Sequence, residues 1–317
     1  MDAVPRLYLD QKDWIGLAQV RTGKPGSEEL RATAIALETR VRSGLIITPM
    51  SESHVLETGT ISDPTKRGQV ATVIVALSRR EALAPLHSIW VAEARSFFRH
   101  QFGAEVQTEA TPFGKGLAFA LGFSYDDNNP PWSDDAPDAE VAMAETSAIA
   151  MPSRIGMSTA DIERRTRWES WADFITSQSR KLLEQRHRYN ERDRLAAITL
   201  AMLDRALIGE AIGLDVHEHF LEFLERAGPW AAVRQMPSLA VLTELLRVRC
   251  PDISVAWTRN DYHDIHFLSV ALAYCAAVCP DRRWAELALR SDYVVERGAI
   301  IASGRDALPD ALERLGL

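Results

Sequence analysis

Two short apolar runs, Arg6 to Asp10 (RLYLD) and Gly44 to Pro49 (GLIITP), flank one segment with helical spacing, Ser27 to Ser43 (SEELRATAIALETRVRS). The branched and aromatic residues of the runs favour buried strands. The segment between them opens with serine and two glutamates and then repeats apolar residues every three or four positions, as a capped amphipathic helix does. Strand, helix, strand is the unit of a parallel sheet, because parallel neighbours need a crossover that returns the chain to the same edge. The chain is therefore expected to be α/β.

A short helix is expected over 51–59 (SESHVLETG) and a longer one over about 66–82. Beyond Pro85 the strand signal fades and helical spacing dominates to about residue 248, most clearly over 160–209 and 215–228. Residues 124–140 (SYDDNNPPWSDDAPDAE) hold no basic residue and read as an exposed loop. Strand character returns late: a helix from Asp264 to Tyr274, a short strand over 276–280, and a strand or pair of strands within 293–303. The expected division is an α/β half over 1–84, a helical insertion over 85–250 and a second α/β half over 251–317.

With 317 residues, 46% of them hydrophobic, the chain can bury a substantial core. No run is long and apolar enough for a membrane span, and the start, MDAVPRLYLD, lacks the basic-then-apolar pattern of a signal peptide, so the cytoplasm is the expected compartment. Three cysteines, Cys250, Cys275 and Cys279, form neither a disulfide framework nor a zinc ribbon and are expected in the core. A net charge of -8 argues against a protein that coats nucleic acid through a uniform positive field. It leaves room for an enzyme that grips nucleic acid locally.

Acids stand where the apolar elements begin and end. Asp10 closes the first run, Glu57 lies on the short helix after the second, and Asp264 and Asp281 bracket the late helix and strand in RNDYHDIHFLSVALAYCAAVCPDRRWA. Strand ends at the C-terminal edge of a parallel sheet are where such folds gather their sites. Carboxylates converging there repel one another and call for a cation, and oxygen-only ligation selects Mg²⁺ or Mn²⁺. Asp261, three residues before Asp264, is an auxiliary acid expected just ahead of the late helix, with Asp264 in its first turn.

These residues resemble the PIN-domain and PIN-like metal-dependent ribonucleases. The resemblance rests on Asp10 in LYLDQ, Glu57 in SHVLET, Asp264 in DIHFLSVALAYC and Asp281 in VCPDRRW, and most specifically on the 17-residue step from Asp264 to Asp281. It covers roughly residues 6–84 and 255–303. It implies a three-layer α/β/α fold with a central parallel sheet, here interrupted by the helical insertion. It also implies a metal site formed by Asp10, Glu57, Asp264 and Asp281, and hydrolysis of phosphodiester bonds in single-stranded or looped RNA. Arg180, Lys181, Arg186 and Arg188 belong to a stretch richer in base than in acid and are the candidate contacts to the RNA backbone. A toxin or defence role, a protein regulator or antitoxin, and a homo-oligomer are compatible with such a nuclease.

Three other readings compete. The Arg-x(4–6)-His pattern of HEPN-type, metal-independent ribonucleases occurs in RSFFRH and RNDYHDIH, but a chain with eight histidines offers such matches by chance. The His263-Asp264 pair matches the dyad of metal phosphohydrolases, which does not suit the strand that follows it. His263 and His266 are instead expected as partly exposed helix residues. A PIN-like protein without catalysis, acting as a binding or regulatory module through its helical insertion, is the third.

Overall fold

In the computed structural model the described residues are 4–25, 27–103, 111–122, 138–151, 173–177, 180, 190–202, 214–252 and 254–317. The chain is mostly helical around a small parallel sheet. Strand β1 (Leu7–Leu9) lies beside β4 (Ala277–Cys279), which lies beside β5 (Ile300–Ile301), all parallel. Leu9 stands opposite Cys279. A second pair, β2 (Glu81–Leu83) and β3 (Phe113–Lys115), is antiparallel.

The strand expected over 44–49 shrinks to isolated parallel bridges, Ile47 with Arg6 and Met50 with Ala82. Pro49 has no N–H to give a ladder, and the hydroxyl of Thr48 donates to the Leu77 carbonyl instead. The backbone bonds on either side nonetheless connect the two pairs: Leu7 N–H donates to Ile47 at 2.8 Å and Leu83 N–H to Met50 at 2.7 Å. Parallel pairing therefore runs in the order β2, residues 47–50, β1, β4, β5.

Helices cover both faces of this sheet. Leu7, Leu9, Ala277 and Cys279 enter one core, and the alternating Tyr8 and Val278 enter the other. The first core is closed by α1 (Gln11–Arg21), α2 (Glu28–Arg42), α4 (Pro64–Ser78) and, further along, α6 (Gly116–Leu121) and α7 (Asp138–Ala150). The second is closed by α5 (Leu86–Phe102), α8 (Glu191–Met202), α9 (Leu214–Ala227), α10 (Pro229–Val233), α11 (Pro237–Arg249) and α12 (Arg259–Tyr274). Between the sheet elements sits α3 (Glu52–Thr60), and after β4 come α13 (Arg282–Ala288), α14 (Asp292–Glu296) and α15 (Ala307–Arg314). Residues of the 85–250 stretch thus contribute to both cores.

Several expected boundaries move. The helix expected to reach residue 82 ends at Ser78, because Arg79 and Arg80 turn into the left-handed region with φ 48° and 64° and feed β2. The late helix begins at Arg259, capped by Thr258, so Asp264 stands in its second turn and Asp261 lies inside the helix rather than ahead of it. Most of 293–303 is α14 and turn, with only the two-residue β5 as strand. Among the described residues, no helix is long and apolar enough to cross a membrane, and all three cysteines are buried. The acidic loop expected over 124–140 lies mostly outside the described residues.

Candidate active site at the strand ends

Asp10 follows β1 and begins α1, where its carboxylate accepts from Gln11 N–H at 2.7 Å. Asp281 follows β4 and begins α13 in the same way, accepting from Trp284 N–H at 2.7 Å. Because β1 and β4 are register neighbours, these two caps emerge side by side at one edge of the sheet. Lys12 spans them, donating to the Pro280 carbonyl at 2.8 Å with its ammonium 3.8 Å from Asp10.

Glu57 is delivered by α3. One turn before it, His54 is buried with Nδ1 accepting from Ser51 N–H at 3.0 Å. The ring proton is thereby assigned to Nε2, which donates to the Leu9 carbonyl at 2.8 Å. Burial lowers the His54 pKa to about 4, so the ring is neutral and pins α3 to the end of β1. Gln11 adds a second tie, from Nε2 to the Thr58 hydroxyl at 2.9 Å. Asp264 comes from α12, and its Oδ2 accepts the indole N–H of Trp284 at 3.0 Å.

The four acids Asp10, Glu57, Asp264 and Asp281 line one void together with Tyr8 and Ser53. Its volume is about 20 Å³, close to what a single water or ion needs. Burial, then Asp10, Asp281 and Glu57, push Asp264 up to about 8. Burial and Asp10 push Glu57 up to about 8. Asp10 is raised chiefly by burial, with Lys12 opposing and Asp281 adding to the rise. Asp13, raised to about 7 by burial despite Lys12, is a fifth nearby acid; its Oδ2 accepts from Asp10 N–H at 3.1 Å. Groups that raise one another in this way are short of positive charge, and an all-oxygen donor set suits a hard divalent ion. Among the described residues, no three histidine, cysteine, aspartate or glutamate side chains already form a metal-holding group. The acids face a common space without being closed into a preformed shell.

Other expected residues lie elsewhere. Asp261 is buried but does not line the void: it accepts from Thr258 N–H at 2.9 Å and from Arg283 at 2.8 Å, and so fastens α12 to α13. Arg180 is an exposed helical residue that does not line the void, and Lys181, Arg186 and Arg188 lie outside the described residues. His263 and His266, expected to be partly exposed, are buried at 9% and 7% exposure. His263 lines the void. Trp284 and His54 were not foreseen. Ser51 reads as a helix cap, but a histidine at the third helical position falls outside the usual Ser-x-x-Glu pattern, and the reach of Trp284 to Asp264 leaves no local signal.

Compared with known protein families, curated proteins and solved structures, the chain matches none.

Proposed function

We propose that this protein is a PIN-like, divalent-metal-dependent endoribonuclease that hydrolyses RNA phosphodiester bonds. One observation carries the reading: Asp10, Glu57, Asp264 and Asp281, from four separate elements, line one ion-sized void at the C-terminal edge of a parallel sheet. The pairing order, with β1 between residues 47–50 and β4, suits the same fold.

Asp10, Asp264 and Asp281 would hold Mg²⁺ or Mn²⁺, with Glu57 direct or through water, and the bound ion would lower the pKa of a water and offset charge on the phosphate. The protein's own part is arrangement. Trp284 orients Asp264 and Asp281 together, His54 fixes the helix that carries Glu57, and Lys12 steadies the two strand ends. In the overall reaction water oxygen bonds to phosphorus, the bond from phosphorus to the leaving ribose oxygen breaks, and that oxygen gains a proton. Arg180, Lys181, Arg186 and Arg188 are proposed to contact the RNA backbone. A toxin or defence role, with a protein regulator or antitoxin and self-association, belongs to the same proposal.

That the acids form no preformed shell favours a second reading, a PIN-like binding or regulatory protein. Calorimetric titration with Mg²⁺ and Mn²⁺ separates the two, together with incubation of total RNA with Mn²⁺ and mapping of the cut sites. The nuclease reading expects cation binding and cleavage that Asp10→Asn and Asp281→Asn both remove; folded wild-type protein that binds neither ion and cuts no RNA overturns it.

A further inference from the structure

We propose that an aromatic cavity beside the carboxylate void receives one unpaired nucleobase of the RNA, next to the bond that is cut. This rests on the nuclease reading and adds to it the part of the site that holds the substrate.

The cavity has a volume of about 510 Å³ and shares a wall with the carboxylate void: His263 and Phe267, one turn apart on α12, line both. Asp264 lies between them in sequence and faces the void, while His266 on the same helix lines only the larger cavity. A group seated there is thus one side chain away from the acids. In a nucleic acid, the group at that distance from a phosphate is the base of an adjoining nucleotide.

The walls have the chemistry that bases select. Trp90, Tyr262, His266 and Phe267 supply aromatic surface. Trp90 and His266 stand edge to face with centroids 6.1 Å apart, and Tyr262 and His266 do so at 4.2 Å, so the rings brace one another before any ligand arrives. Base stacking on aromatic side chains needs such rigid faces and tolerates any base. Glu52, His87 and Ser88 add polar groups to the lining, which suits a ring with polar edges better than a purely apolar guest. A base stacked and paired inside a duplex cannot enter, so the cavity selects single-stranded or looped RNA.

The test is an abasic walk. An RNA oligonucleotide with one mapped cut site is prepared as a series, each member lacking a single base at a different position. Cleavage in Mn²⁺ and binding by fluorescence anisotropy are measured for wild type, Tyr262→Ala and Tyr262→Phe. Loss of the base at one position adjoining the cut is expected to reduce kcat/KM and affinity on the order of tenfold, with little effect at distant positions. Tyr262→Ala is expected to erase that positional difference and Tyr262→Phe to keep it. Cleavage that is indifferent to every abasic position overturns the base cavity and leaves the nuclease reading standing. Binding that depends on position without cleavage of any RNA supports the cavity and overturns the nuclease reading. Absence of both cleavage and binding overturns the two together.

Discussion

Trp284 holds Asp264 by its indole N–H at 3.0 Å while its own backbone N–H donates to Asp281 at 2.7 Å, so one residue sets the relation between two of the four acids. Trp284→Phe keeps an aromatic ring and the backbone donor, and removes the indole N–H together with the five-membered part of the buried ring. Loss of an outer partner of a metal-binding side chain typically costs about 10–100-fold in metal affinity or activity. The substitution is therefore expected to weaken Mn²⁺ binding by about tenfold or more while the protein stays folded. Calorimetry with Mn²⁺, paired with a thermal melt, checks it; unchanged affinity in a folded variant rules out the positioning role.

The raised acids make the cation-free protein less stable in alkali. Asp264 and Glu57 titrate near 8 when folded, against ordinary values of 3.8 and 4.5. Between those limits the folded state holds more protons than the unfolded, so stability falls as pH rises through the window and is lowest above pH 8. In a chelator, Tm is expected to drop steadily from pH 5 to pH 8 on this account. Mn²⁺ at pH 8 is expected to restore it, because a ligand that binds only the folded state stabilises that state. Asp264→Asn is expected to raise the cation-free Tm at pH 8 by several degrees and to abolish the Mn²⁺ effect. A cation-free Tm that is flat or rises over this range contradicts the proposed electrostatics.

His54 acts at the opposite end of the pH scale. Its folded pKa of about 4 lies below the ordinary 6.5, so the unfolded state binds the proton more readily and stability is lost as pH falls between those values. His54→Ala removes the tie between Ser51 and Leu9 and leaves both backbone groups buried. The expected cost is about 2–4 kcal/mol, read as a shift in the urea midpoint. RNA cleavage, measured well below the variant's melting temperature, is expected to fall further than stability explains, because α3 carries Glu57. Equal activity per folded molecule would show that the pin does not matter to the site.

The acids were legible because each begins, ends or follows an apolar run, and a run can be seen in sequence. Asp10 and Asp281 emerge beside each other as the strand reading requires, and Glu57 and Asp264 meet them. What was not legible has three physical sources. Some elements are too short for periodicity: β2 and β3 have three residues each, and Pro49 reduces an expected strand to isolated bridges. Some signals are ambiguous locally, as with Asp261, which looks like an auxiliary acid and serves as the Thr258 capping partner and the anchor for Arg283. Others are purely tertiary. Nothing near Asp264 in sequence announces Trp284, and the left-handed Arg79 and Arg80 end a helix without the glycine that usually marks such a turn.

Lys12 gives the last prediction, because it bears on the cation and the proton in opposite senses. Its ammonium lies 3.8 Å from Asp10 and lowers the pKa that burial raises, but it also adds a positive charge beside the position proposed for a divalent ion. Replacing it by methionine keeps the aliphatic stem and removes the charge. Above the range in which the acids titrate, at pH 8.5 to 9, only the repulsion matters, so Lys12→Met is expected to bind Mn²⁺ a few-fold more tightly than wild type. The modest size follows from the partial exposure of both groups, which lets solvent screen them. Near pH 6.5 the protons of Asp264 and Glu57, which titrate near 8, compete with the cation, and loss of Lys12 removes an influence that lowers the Asp10 pKa, so the advantage is expected to shrink. Calorimetric Mn²⁺ affinities at the two pH values provide the check. A variant with wild-type affinity at both would mean that Lys12 acts only through its bond to the Pro280 carbonyl, as a clasp between the ends of β1 and β4.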